Sequence, residues 1–354
     1  MSKQKAHITN LTIEKLQEEL ANMGEPAFRM KQVVKWVYQK RINSFDDMRN
    51  VPKILHEKLK QKYTVEKMPV TYLLESKKGD AVKFGFETNE GDGIIESVIL
   101  YDGKRRSLCI SSQLGCALGC VFCETGRMGF VRNLTQREIL GQMIGANDYL
   151  ASHNDKLVTN IIFMGMGEAL LNYDTFISSL KIIMNDDCFG MRGRRITVST
   201  AGIVPQIEKF IKEDMRLGLA VSLNTYSNEK RNRTMPINKK YPIEKLIEVA
   251  GSYYKKFGER VTFEYVLMHG ENDTEEAVGA LKKQLGRVPC KINLIPVNPF
   301  TDSTISAPDE EKLNAFAQKL SDSGLYVTVR KSRGQDICAA CGQLAGRVRG
   351  GRDG

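Results

Sequence analysis

Cys116, Cys120 and Cys123 stand three and then two residues apart in SSQLGCALGCVFCETG, residues 111–126, with no fourth cysteine or histidine close by. A zinc ion that only holds structure takes four protein ligands, commonly as two C-x₂-C pairs. Thiolates are also the ligands of iron–sulfur clusters, whose four-iron form usually takes four cysteines. With three, one iron keeps an open position. The amine and carboxylate of an amino acid can chelate such an iron, and S-adenosylmethionine carries both. An electron from the cluster can then break its sulfonium bond and release a carbon radical. A zinc site completed from elsewhere in the chain is the competing reading of the same spacing.

A second ligand surface begins at FMGMGE, residues 163–168, after an apolar run. Its glycines allow close approach of the backbone to a cofactor, and Glu168 can accept hydrogen bonds from an amine. Ser199, Ser222, Asn224 and Asn298 each close a later apolar run, so in a barrel they would converge on one mouth; each is equally suited to a turn or a helix cap.

The elements that must position these residues are readable from periodicity. Residues 1–68 are predicted as a small helical unit, with Thr12 capping IEKLQEEL, Pro26 opening AFRMKQVVKWVYQK, and Ser44 before FDDM. Ile13, Leu16 and Leu20 fall on one helical face. VTYLLES, AVKFGFET and GIIESVILY predict a β-meander over 69–104. From 105 to 335 seven apolar runs alternate with amphipathic segments, which implies an α/β fold around a parallel sheet, open or barrel-like. Thr135 and Glu138 form a capping box directly behind the cysteine loop. Residues 336–354 contain Cys338 and Cys341 and end in GRVRGGRDG, a composition that predicts a disordered basic tail.

The chain has 354 residues, with 52 Lys and Arg against 42 Asp and Glu, a formal net charge of +10 that favours a polyanionic partner. No apolar run reaches the length of a membrane span and MSKQKAHITN lacks a signal-peptide core, so a cytoplasmic location is expected. In a reducing compartment the eight cysteines are better read as ligands, catalytic groups or buried thiols than as a disulfide framework.

SSQLGCALGCVFCETGRMGFVRNLT, FMGMGEALLNY, MPINKKYPIE, LIPVNPF and DICAACGQLAG together resemble the radical S-adenosylmethionine RNA adenine methyltransferases of the RlmN/Cfr family, nearer RlmN, over about residues 90–346. The resemblance implies a partial (β/α)₆ barrel carrying a 4Fe-4S cluster on Cys116, Cys120 and Cys123. It implies S-adenosylmethionine contacts at Gly167, Glu168, Ser199, Ser222, Leu223, Asn224 and Asn298. By the same resemblance Cys341 is the cysteine that becomes methylated, Cys109 its resolving partner through a disulfide, and Glu96 the proton acceptor. The implied substrate is an adenine ring carbon, C2 ahead of C8, in 23S rRNA and also in tRNA. A monomer and an electron donor such as flavodoxin or ferredoxin complete the expectation.

Four positions depart from the family pattern: Glu124 where a small residue is common, Ala169 for proline, Asn224 for histidine and Cys338 for aspartate. GEAL is nearer Cfr, whereas VTVRKSRG and CGQLAG are nearer RlmN. The rival without catalysis is a zinc-stabilised RNA-binding protein, for which a separated pair such as Cys109 and Cys341 would have no use. Cys188 and Cys290 read as ordinary core or surface thiols, and Cys338 as surplus.

Overall fold

The computed structural model describes residues 5–298 and 305–348. Alternating and β-branched residues give three antiparallel strands, β1 (Val70–Glu75), β2 (Ala81–Glu87) and β3 (Gly93–Asp102). The chain then enters β4 (Arg105–Cys109), antiparallel to β3. Six more strands follow in parallel: β5 (Asn160–Phe163), β6 (Ile196–Thr200), β7 (Gly218–Ser222), β8 (Val261–Leu267), β9 (Cys290–Pro296) and β10 (Val327–Val329). Their order in the sheet is their order in the chain. The parallel part is a partial barrel, and the meander is a continuation of the same sheet.

Amphipathic helices return the chain between strands, among them Tyr173–Met184, Val204–Lys212 and Ile243–Phe257. Each buries its apolar stripe on the sheet, and one hydrophobic core runs from Ile8 in the helical unit to Leu344 near the C-terminus. Among the described residues no helix is long and apolar enough to cross a membrane.

In the N-terminal unit, Thr12 Oγ1 accepts from Lys15 N, and Leu16 and Leu20 are buried as their spacing predicts. Phe28–Val34 continues into a π-helical turn at Lys35–Gln39, and Ser44 caps a 3₁₀ turn. The unit is fastened to helix Gln136–Ser152, whose Gln136 Nε2 donates to the carbonyls of Thr9 (2.6 Å) and Leu11 (2.9 Å). The disordered C-terminal tail is corrected at its start: Arg347 and Val348 pair antiparallel with Ile94 and Gly93, because the exposed edge of β3 there offers free backbone groups. Residues 349–354 of that tail lie outside the described residues.

The predicted capping box is present and does more than cap. Glu138 is fully buried and accepts from Thr135 N (2.8 Å), from Asn89 N (3.0 Å) and from both terminal nitrogens of Arg132 (2.9 and 2.8 Å). It ties the helix, the meander and the hairpin behind the cysteine loop together. Glu138→Ala removes a fully buried acceptor of several hydrogen bonds, leaving Arg132 to Asp92 and Glu90, and is expected to lower unfolding free energy by about 2–3 kcal/mol, read from urea denaturation midpoints, with Glu138→Gln intermediate.

Candidate active site

The cysteine loop is carried on a hairpin of Gln113–Gly115 and Phe130–Asn133. Gly115 makes the hairpin possible: its φ is +74°, and a Cβ there would lie 1.9 Å from the Gly129 carbonyl oxygen. Cys116, Cys120 and Cys123 all line one cleft of about 910 Å³, counting its open mouth. Burial pushes the Cys116 thiol up to about 11 and raises Cys120 and Cys123 as well, and the sulfurs raise one another. Bare, they are neutral thiols near pH 7, so ligation must supply the positive charge that removes their protons. Among the described residues no group of three or more His, Cys, Asp or Glu side chains is gathered as a single-ion site would be. A set of three half-buried thiols around a shared concavity fits a multi-iron cluster with one iron facing the cleft.

The strand ends supply the opposite wall. Gly165, Gly167, Glu168, Ser199, Ser222, Asn224 and Asn298 all line the cleft. The glycines of FMGMGE have a reason beyond cofactor approach: a Cβ on Gly167, at φ +90°, would sit 2.4 Å from Gln113 Cβ, and one on Gly165 would strike the Ile110–Ser111 backbone at 2.6 Å. They let the end of β5 lie against the segment that feeds the cysteine loop. Glu168 Oε2 accepts from Ala201 N at 2.7 Å, and burial pushes its carboxyl up to about 7.

Asn224 has a left-handed backbone, φ +59°, which asparagine tolerates well, and its Oδ1 accepts from Val266 N at 2.9 Å. Leu223 differs from its neighbours: its side chain is fully buried and does not line the cleft, and its carbonyl accepts from Arg231 Nε at 3.1 Å.

The C-terminal segment brings Cys341 to the same cleft, directly beside the end of the cysteine loop. Glu124 N donates to the Gly342 carbonyl (2.8 Å), Thr125 Oγ1 to the Leu344 carbonyl, and Asn298 Nδ2 to the Cys341 carbonyl (3.1 Å). Asn298 thus positions the cysteine as well as lining the cleft. Cys341 also lines a second cavity of about 500 Å³, whose wall includes Cys109 and Arg330. Burial pushes the Cys109 thiol up to about 12, with Cys341 adding to the rise and Arg330 opposing it. The two thiols and the guanidinium therefore feel one another across that cavity. The implied disulfide is not a standing bond, since Cys109 and Cys341 are free thiols. Cys188 and Cys290 are buried and Cys338 is exposed.

Glu96 lines neither cavity. It is buried, paired with Lys83 Nζ at 3.0 Å and hydrogen-bonded by the Tyr72 hydroxyl; its other oxygen accepts from Ala345 N (2.9 Å) and Gly346 N (3.2 Å). Lys83 Nζ also donates to the Cys338 carbonyl at 3.1 Å. The carboxylate is the anchor of the segment that carries Cys341.

Sequence reasoning missed Lys83, Arg330, Glu264 and Arg231. Glu264 lines the cleft, and its isolated carboxylate within the apolar run VTFEYVL was a usable signal. Arg231 is fully buried, its Nη2 donating to the carbonyls of Ala201 (2.7 Å) and Ser222 (2.8 Å), yet it is hidden in the charged run NEKRNRT. Nothing local marks it.

Residues 6–65 match the Ribosomal RNA large subunit methyltransferase N-terminal domain, and residues 110–281 match the Radical SAM superfamily. The fold is similar to the crystal structure of a radical SAM methyltransferase from Sphaerobacter thermophilus, with 37% identity, a TM-score of 0.91, and coverage of 96% of this chain and 99% of that one. A looser likeness, 15% identity and a TM-score of 0.45 over 66% of this chain and 56% of the other, links it to the FeFe-hydrogenase maturase HydG from Carboxydothermus hydrogenoformans.

The raised Glu168 carboxyl sets a pH dependence. The folded chain holds that proton up to about pH 7 whereas an unfolded chain releases it near 4.5, so the stabilisation is complete below 4.5 and is lost as pH rises through 7. His7, pushed down to about 4 by burial, works in the opposite direction, its contribution lost as pH falls. The difference in unfolding free energy between the metal-free protein and its Glu168→Gln variant, measured by denaturant at pH 5 and pH 8, is expected to shift against the wild type by roughly 2–3 kcal/mol at the higher pH.

Proposed function

From the chain's membership of the RlmN-type radical S-adenosylmethionine methyltransferases, we propose that it methylates C2 of an adenine in 23S rRNA, and of an adenosine in tRNA, by way of a methylated Cys341. The observation that carries this reading is the position of Cys341 on the wall shared by the two cavities, facing the cysteine loop on one side and Cys109 on the other.

Cys116, Cys120 and Cys123 would hold a 4Fe-4S cluster, and Glu168, Ser199, Ser222 and Asn298 would hold S-adenosylmethionine; when bound, these groups supply a methyl group and a hydrogen-abstracting carbon radical. The protein's part begins with the difficulty of the substrate. C2 of adenine lies between two ring nitrogens and is too electron-poor to attack a methyl sulfonium, but a carbon radical adds to it. Cys341 gives up its thiol proton, takes the methyl on Sγ, and then yields one methyl hydrogen atom, so that the exposed carbon bonds to C2.

The adduct gives up the C2 proton and one electron, for which the bound cluster would be the acceptor, and the aromatic ring is restored as a thioether. Glu96 accepts that proton in this reading, which requires one of its present donors to let go. Cys109 then attacks Cys341 Sγ as a thiolate. The sulfur–carbon electron pair leaves with the methylene carbon, a proton completes the methyl group, and two electrons from a thiol reductant reopen the disulfide. Arg330, beside both sulfurs, favours the thiolate that burial opposes. VTVRKSRG and CGQLAG support C2 over the Cfr-like C8.

Two variants test the division of labour. Cys341→Ala is expected to form neither methylated RNA nor a protein–RNA adduct, whereas Cys109→Ala should accept the methyl, add to the base and stall. On a denaturing gel only Cys109→Ala should carry crosslinked RNA. Adducts with both variants, or full turnover by either, refute the assignment; Cys338→Ala in the Cys109→Ala background checks for rescue. Removing any one of Cys116, Cys120 or Cys123 should abolish iron content and turnover together.

A further inference from the structure

The two cavities that meet at Cys341 have opposite electrostatic character. Among the described residues, the cleft holding the cysteine loop is lined by two carboxylates, Glu168 and Glu264, and by no lysine or arginine. The second cavity is lined by Arg330, Lys331 and Arg333 and, among the described residues, by no carboxylate. A sulfonium and an ammonium suit the first and are repelled by the second; an anion is sorted the other way.

The basic wall is a continuous run, Arg330-Lys331-Ser332-Arg333, directly after β10, and it is held in place at both ends. Arg330 N donates to the Leu294 carbonyl (2.9 Å). Gly334, at φ +66°, donates to Asp80 Oδ1 (3.2 Å) and fits where a Cβ would come within 2.9 Å of Ala81 and Ala339. Ser332 Oγ is buried and has no hydrogen-bond partner, and among the described residues Lys331 makes no ion pair. Arg333 pairs with Asp102 at 3.0 Å, which fixes its guanidinium at the rim. The unpartnered hydroxyl of Ser332 and the ammonium of Lys331 are donors without an acceptor, and two guanidinium groups flank them, Arg333 paired with Asp102 and Arg330 facing Glu264 and the two thiols.

Resting on the reading that this chain methylates RNA, we infer that the wall Arg330–Arg333 binds a phosphodiester of the substrate strand next to the target nucleotide. A base that bonds to the carbon on Cys341 carries a phosphate on each side of its sugar, so a phosphate must lie within one nucleotide of that sulfur. The second cavity is the place beside Cys341 that compensates its charge. Lys331 and Ser332 take the phosphate oxygens, Arg333 borders them, and Arg330 remains with the two thiols. The contact positions the strand and reads no base.

Lys331→Gln and Ser332→Ala test this, with Lys245→Gln on the outer helix as a control for general charge loss. For Lys331→Gln the KM for substrate RNA is expected to rise about tenfold with kcat within about twofold, and the slope of log binding constant against log salt should flatten by about 0.7–0.9. Ser332→Ala should raise KM without changing that slope. Transfer of labelled methyl from S-adenosylmethionine to Cys341 without RNA should match wild type in both. Wild-type KM and salt slope in Lys331→Gln overturn the inference. Loss of the RNA-free methyl transfer also overturns it, since the wall would then serve the loop of Cys341 and not the strand. If the wild-type protein methylates no RNA, the underlying reading fails instead, while the salt slope of RNA binding still judges the phosphate contact.

Discussion

The buried pair of Glu96 and Lys83 is the interaction on which the site depends. Both side chains are almost fully withdrawn from water, and isolating either charge there would cost several kcal/mol. Each is satisfied by the same piece of chain: Glu96 takes the N–H groups of Ala345 and Gly346, and Lys83 donates to the Cys338 carbonyl. The C-terminal segment is thus recruited to complete the solvation of a charge pair in the meander. Two further ties, Ser76 Oγ and Lys77 N to the Asp336 carboxylate, hold its approach. Cys341 arrives beside Cys109 because the residues on both sides of it are fixed to β1–β3 and to the loops next to them.

Seen from that anchor, the continuity of the meander with the barrel sheet has a purpose. A separate accessory sheet would leave the position of Glu96 relative to Cys109 free; pairing of Val98 with Cys109 across β3 and β4 fixes it. The barrel end is knitted independently by Arg231, which bonds the ends of β6 and β7 and raises the anionic character that the Cys120 sulfur can bear. The segment of Cys341 is bonded directly to the end of the cysteine loop, through Glu124 N to the Gly342 carbonyl. The strand ends from Glu168 to Asn298 line the rest of the cleft.

How much of this was legible follows from the range of each interaction. The meander, the seven parallel strands and the cap at Thr135 are local, set by periodicity and by residues three apart, and they stand where the pattern placed them. The place of Gly167, Glu168, Ser199 and Ser222 on one cleft was legible because a parallel sheet brings strand ends together whatever its details. Leu223 shares a motif with Ser222 and Asn224, but its side chain is buried away from the cleft that they line. Lys83 and Arg231 were unreadable because a lysine in a strand and an arginine in a charged helix are ordinarily solvated; only tertiary packing buries them. Arg347 and Val348 show the reverse: their composition suggests disorder, but the strand edge beside them supplies order.

The remaining contacts of Cys341 differ in kind from its anchor. Its own carbonyl and those of Gly342 and Leu344 are held by single neutral hydrogen bonds from Asn298, Glu124 and Thr125, each worth about 1 kcal/mol net. Such bonds can be exchanged for water one at a time, whereas the Glu96–Lys83 pair cannot be opened without exposing a bare charge to the interior. Gly342 and Gly346, both with positive φ, bound the turn that follows Cys341 and returns the chain to Glu96. In the proposed reaction Cys341 meets the cleft when it gains a methyl and the basic cavity when its sulfur meets Cys109, and it lines both. A segment tied to the charge pair at Cys338 and Ala345, and held between them by weak bonds alone, can serve both cavities while the sheet stays still.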